Sequence, residues 1–113
     1  MPETPTEFAL VLTTVGSEEE ALRLARALVD ERLAACVNVV PGVTSVYRWK
    51  GEVHTDPERL LVIKTRVSLF PRLQEAVRRL HSYELPELIL VPVTGGDAAY
   101  LRWLAEGTSV EAT

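Results

Sequence analysis

The sequence contains a single cysteine, Cys36, so no internal disulfide can form and the fold must be held by burial alone. That pattern fits a reducing compartment, and we expect a cytoplasmic protein. Basic residues do not cluster: Arg78-Arg79 is the one basic doublet, and the formal net charge is −4. A duplex nucleic acid is gripped through Lys and Arg on phosphate, so nucleic acid is excluded as a partner. No apolar run approaches the roughly 18 residues needed to cross a bilayer, so no membrane partner is expected. The segment Met1 to Glu7 lacks both positive charge and an apolar stretch, which argues against a secretory signal; residues 1–6 read as a short disordered leader. Walker and GxGxxG loops, a nucleophile elbow, His-x-x-x-His, Cys-x-x-Cys and an acidic calcium loop are all missing. These absences remove the common nucleotide, hydrolase and self-contained metal sites, and no organic cofactor is implied. Aromatics are 6% of the chain, and Leu60 to Val67 has none, so a stacking platform for RNA is absent too.

What is present is a globular balance of 47% hydrophobic and 25% charged residues over 113 positions, enough for one domain with one core. Phe8 to Val15 reads as a buried strand. Ser17 and Glu20 form a capping box, and Ala21, Leu24, Ala25, Leu28 and Val29 mark a helix ending near Leu33. Cys36 to Val40 is a strand stopped by Pro41-Gly42, followed by an extended Val43 to Lys50 and a bend at Gly51. Asp56-Pro57 reads as a turn, and Leu60 to Val67 as a further strand. Ser68 is positioned to cap a helix carrying Leu73, Ala76, Val77 and Leu80. Glu87 to Thr94 is a strand that Pro92 confines to an edge or a bulge, and Asp97 caps a last helix, Ala98 to Glu106, ended by Gly107.

The order β-α-β-β-α-β with an extra C-terminal helix predicts an α+β, ferredoxin-like antiparallel sheet with both main helices on one face. The uncovered face is then a problem. Leu60-Leu61-Val62-Ile63 and Leu88-Ile89-Leu90-Val91 are apolar at every position, whereas a half-exposed sheet would alternate. The long hairpin from Pro41 to His54 must also protrude, carrying Tyr47 and Trp49. Covering both with further copies of the chain resolves the conflict and predicts an oligomer.

The run Leu33 to Glu52, with its Ala34-Ala35-Cys36 start and its Tyr47-Arg48-Trp49-Lys50-Gly51 end, resembles the signature of the CutA divalent-cation tolerance family. Leu61 to Thr65, His81-Ser82-Tyr83-Glu84-Leu85-Pro86-Glu87 and Tyr100 to Leu104 continue the resemblance in order. It implies a ferredoxin-like homotrimer, cytoplasmic in bacteria, non-catalytic, and associated with tolerance of copper and other divalent cations.

His81 matches the histidine that opens the family's His-Pro-Tyr segment and is the first metal candidate, although Ser82 replaces the usual proline. Leu80 and Thr13 stand where some members carry a second histidine and a cysteine. Cys36 is the other metal candidate, a soft ligand for copper, with a small buried hydrophobe as its plain reading. Tyr47, Trp49, Lys64, Tyr83 and Glu87 form a second constellation. It reads either as an inter-subunit pocket or as an interface lock, with Glu87 or Glu52 as the carboxylate for Lys64. A PII-like signalling trimer binding a small ligand between subunits, and a structural scaffold trimer, are the alternative functions.

Overall fold

The computed structural model describes residues 7–109; the leader expected over 1–6 lies outside them. The elements are β1 (Phe8–Val15), α1 (Glu18–Asp30), β2 (Cys36–Trp49), β3 (Glu52–Arg66), a 3-10 turn at Val67–Leu69, α2 (Phe70–Leu80), β4 (Ile89–Pro92) and α3 (Ala98–Gly107). The four strands form one antiparallel sheet in the order β2-β3-β1-β4. Each βαβ crossover skips a strand, which gives the split arrangement the element order predicts. β4 takes an edge, where Pro92 pairs with Ala9 and its missing donor is tolerated. Among the described residues no helix is long and apolar enough to cross a membrane.

Alternation sorts the side chains into two faces. Ala9, Val11 and Val15 of β1 and Leu61 and Ile63 of β3 are fully buried under α1 and α2, beside Leu24, Leu28, Leu73 and Val77. The opposite face carries Leu10, Leu12, Leu60 and Val62, all half-buried, together with the exposed Val40, Ile89 and Val91. α3 touches only one end of that face, where Lys64 donates to the Tyr100 hydroxyl (3.2 Å) and Arg66 donates to the Ala105 carbonyl and the Thr108 hydroxyl.

Local departures from the sequence reading have simple causes. β2 runs straight through Pro41-Gly42, absorbing them as an irregularity between Val40 and Val43. Asp56-Pro57 is not a turn but part of β3, pairing with Ser45 and Thr44. Pro57 lies beyond Arg59, the last residue that β1 pairs, so its nitrogen meets no ladder on that side. Ser68 sits in the 3-10 turn and caps nothing; Leu69 is the N-cap of α2. α1 stops at Asp30, short of Leu33, with Arg32 at a positive φ of 60°. β4 is trimmed to Ile89–Pro92. The hairpin closes at the expected Gly51 together with Lys50, which leaves the extended stretch; both have positive φ (52° and 85°), the two-residue geometry that matches strand twist. Residues 43–49 and 52–58 therefore form a two-stranded ribbon overhanging β1 by roughly 20 Å at about 3.3 Å per residue.

Candidate functional site

The base of the ribbon, the end of β1 and the loop after α2 meet in one polar cluster. His81 is the C-cap of α2, and its side chain is fully buried. Its Nε2 lies 2.7 Å from the Thr14 carbonyl oxygen. A carbonyl only accepts, so Nε2 carries the proton, and Nδ1 presents its lone pair to the Tyr83 N–H at 3.1 Å. Both ring nitrogens are thereby engaged within the chain. Glu20 of α1 stands 3.6 Å from Nδ1 and accepts from both the Ser82 N–H and the Ser82 hydroxyl, each at 2.9 Å. A proline at position 82 would have no N–H to give.

Tyr83 spans this cluster and the ribbon. Its ring packs at 4.7 Å on His81, and its hydroxyl donates to Glu58 Oε2 at 2.7 Å. Gly16 gives the phenol room, since a Cβ at that position would lie a tight 3.2 Å from its oxygen. Burial, followed by the Glu58 hydrogen bond, pushes the Tyr83 phenol well above its usual range. Glu58 is 6% exposed and has no Lys or Arg within salt-bridge distance among the described residues. The neighbouring Glu87 carboxyl is pushed up by burial and by Glu58. Tyr47, on the ribbon, donates to Asp56 at 2.5 Å and stacks on His54; that hydrogen bond is the main cause that raises its phenol. Arg59 donates to the Gly16 carbonyl at 3.4 Å, while its buried Nε finds no partner.

The structure therefore divides the second constellation. Tyr47, Tyr83 and Glu87 share the field of Glu58. Trp49 is at the ribbon tip opposite Glu52, with Lys50 over its ring. Lys64 is six residues along β3 from Glu58, about 20 Å at strand rise. The carboxylate expected beside Lys64, from Glu87 or Glu52, is replaced by the Tyr100 hydroxyl and ring. Sequence reasoning missed Glu58, hidden by the turn reading of Asp56-Pro57. It also missed the second role of Glu20. Ser17 accepts from the Glu20 N–H as a capping box requires, but the Glu20 carboxylate turns to Ser82.

The metal candidates are not gathered. Cys36 opens β2 half-buried, opposite Lys64, whose ammonium is no ligand. Thr13 is fully buried with its hydroxyl unpartnered, and Leu80 packs on the core. Among the described residues no three His, Cys, Asp or Glu side chains are placed to hold a metal ion. With the His81 lone pair occupied, the described donors of a single chain do not fit a resident cation.

A model of the CutA1 divalent ion tolerance protein family matches residues 9–107. The divalent-cation tolerance protein CutA of Thermus thermophilus is 56% identical over 99 residues, covering 88% of this chain and 96% of that protein. The chloroplastic CutA 1 of Oryza sativa is 50% identical over 99 residues, covering 88% of this chain but 56% of that protein. The solved Thermus structure superposes with a TM-score of 0.88 at 54% identity, covering 90% of this chain and 99% of that one. A periplasmic divalent cation tolerance protein from Archaeoglobus fulgidus superposes at 0.87 with 32% identity, covering 90% of this chain and 99% of that one. Relatives thus occupy different compartments. A fold, a strand order and a set of motifs that agree along nearly the whole chain lead to one conclusion: this protein belongs to the CutA1 divalent ion tolerance family.

Proposed function

We propose that the chain serves tolerance of copper and related divalent cations as a non-catalytic cytoplasmic homotrimer whose working site lies between subunits. The carrying observation is the uncovered sheet face, where Ile89 is 51% and Val91 38% exposed beside half-buried Leu10, Leu12 and Val62. An apolar face of this extent is stable in water only when covered, and further copies of the same chain are the simplest cover. The divided constellation supports the same reading. Among the described residues, Glu58 and Glu87 are low-exposure carboxylates without a cation, and Lys64 is a cation without a carboxylate. In one chain Lys64 stands about 20 Å from Glu58; in an assembly, Lys64 of one subunit meets the acidic cluster of another, with Tyr47, Trp49 and Tyr83 lining the space between. A divalent ion is then a partner of the assembly, met by donors from more than one subunit.

The test is the solution mass by analytical ultracentrifugation, together with charge reversal. The expected mass is three times the 12.5 kDa chain. Lys64→Glu and Glu87→Lys are each expected to weaken the trimer, and together to restore part of it. Calorimetric titration with copper then compares the trimer with a dissociated variant, and saturable binding is expected only in the trimer. A monomer at micromolar concentration would overturn the reading.

A further inference from the structure

The family resemblance makes His81 the obvious metal ligand, but its surroundings give it a different job. The ring is fully buried, and each nitrogen has one partner of fixed polarity: Nε2–H donates to Thr14 and Nδ1 accepts from Tyr83. A metal at Nδ1 would have to displace the Tyr83 amide, leaving a buried donor unpaired, and a metal at Nε2 would have to displace a proton that the Thr14 carbonyl holds in place. The residues tied by the ring explain what it does instead. Thr14 is the penultimate residue of β1, two before Gly16, and Tyr83 is the loop residue whose hydroxyl reaches Glu58 past Gly16. Ser82, between His81 and Tyr83, is clamped to Glu20 of α1 by two further bonds.

We propose that His81 is a positioning residue rather than a metal ligand. It is a neutral imidazole latch that pins the loop 81–83 to β1 and thereby aims the Tyr83 phenol at Glu58. It holds Tyr83 from one side while Ser82–Glu20 holds the same loop to α1. The inference uses the pocket named above only as the place Tyr83 serves. All its contacts lie within one chain, so it stands or falls independently of the trimer.

Three substitutions separate the two bonds. His81→Asn keeps an oxygen able to accept from the Tyr83 amide two residues on, but cannot reach Thr14. His81→Gln keeps a donor for Thr14, and His81→Leu fills the space with neither bond. Expected for His81→Leu is an about tenfold faster exchange of the Tyr83 amide, the scale of one lost hydrogen bond, with the Ser82 amide still protected. The Tyr83 phenol titration should move down toward the ordinary tyrosine range, while that of Tyr47 stays put. His81→Asn should retain most of the Tyr83 amide protection. Copper titration of all variants should match the parent, whether the parent binds copper or not. If His81→Leu fails to fold, the Asn and Gln variants carry the same readings, with Asn protecting the Tyr83 amide better than Gln. An unmoved Tyr83 amide and phenol would overturn the assignment, as would copper stoichiometry that falls in His81→Asn.

Discussion

The two faces of one sheet are built from almost the same residue types and reach opposite outcomes. On the helix side, Val11, Leu61 and Ile63 are sealed at 0% exposure by α1 and α2. On the other side, their strand neighbours Leu12, Leu60 and Val62 remain half-buried, and Ile89 and Val91 of the edge strand are open. Apolar content therefore does not distinguish a core from an interface; the covering element does. The helix face is covered within the chain, and the open face is not.

The sharpest way to break this comparison is to cut the same amount from each face. Leu61→Ala should cost about 3 kcal/mol in a denaturant titration, independent of protein concentration, because it leaves a cavity in a sealed core. On the open face, Ile89→Asp should leave the folded chain intact but shift its sedimentation toward the monomer, with a melting temperature that no longer varies with concentration as an assembled chain's does. If Ile89→Asp instead unfolds the chain outright, the two faces are not energetically separate.

Smaller effects sharpen the picture at the margin between the faces. Because the fold holds the Tyr83 phenol protonated, its contribution is complete at neutral pH, below the free tyrosine value of 10.0, and is lost as pH rises through and beyond it. Tyr83→Phe should cost roughly 1–2 kcal/mol at neutral pH. Its stability should also fall less steeply than the parent's in alkali, as followed by circular dichroism. At the helix ends, Ser17→Ala removes the acceptor for the Glu20 N–H and should cost about 1 kcal/mol, read from the denaturation midpoint. Asp97→Ala, which uncaps α3 at the Tyr100 N–H, should cost less than Ser17→Ala. α3 is partly exposed on the open side, and a larger effect, with sedimentation shifted toward the monomer, would place α3 in the proposed interface.

Some of this was legible in the chain because it depends on local chemistry. Ser17 and Asp97 announced their caps, and Gly51 its bend. The apolar run of β1 announced a buried strand, and Pro92 an edge. Prolines 41 and 57 misled, because a proline stops a strand only where its nitrogen faces a ladder. Position 57 lies where β3 has no neighbour on one side. Ser68 misled because capping needs a free helix end, and a 3-10 turn fills that place first.

The sequence by itself determined the element order, the split βαβ topology and the surplus of apolar surface, since these follow from periodicities of two and 3.6 residues and from local turn chemistry. Only the tertiary structure decided the site. It joined Thr14, Glu20, Glu58 and Tyr83 from distant segments, turned the Glu20 carboxylate from its cap to Ser82, and separated Lys64 from Glu58 by the length of half a strand. The reason is physical. Hydrogen bonds of buried polar groups are satisfied by whatever the packed chain brings within about 3 Å, and the chain's linear order carries no record of that distance.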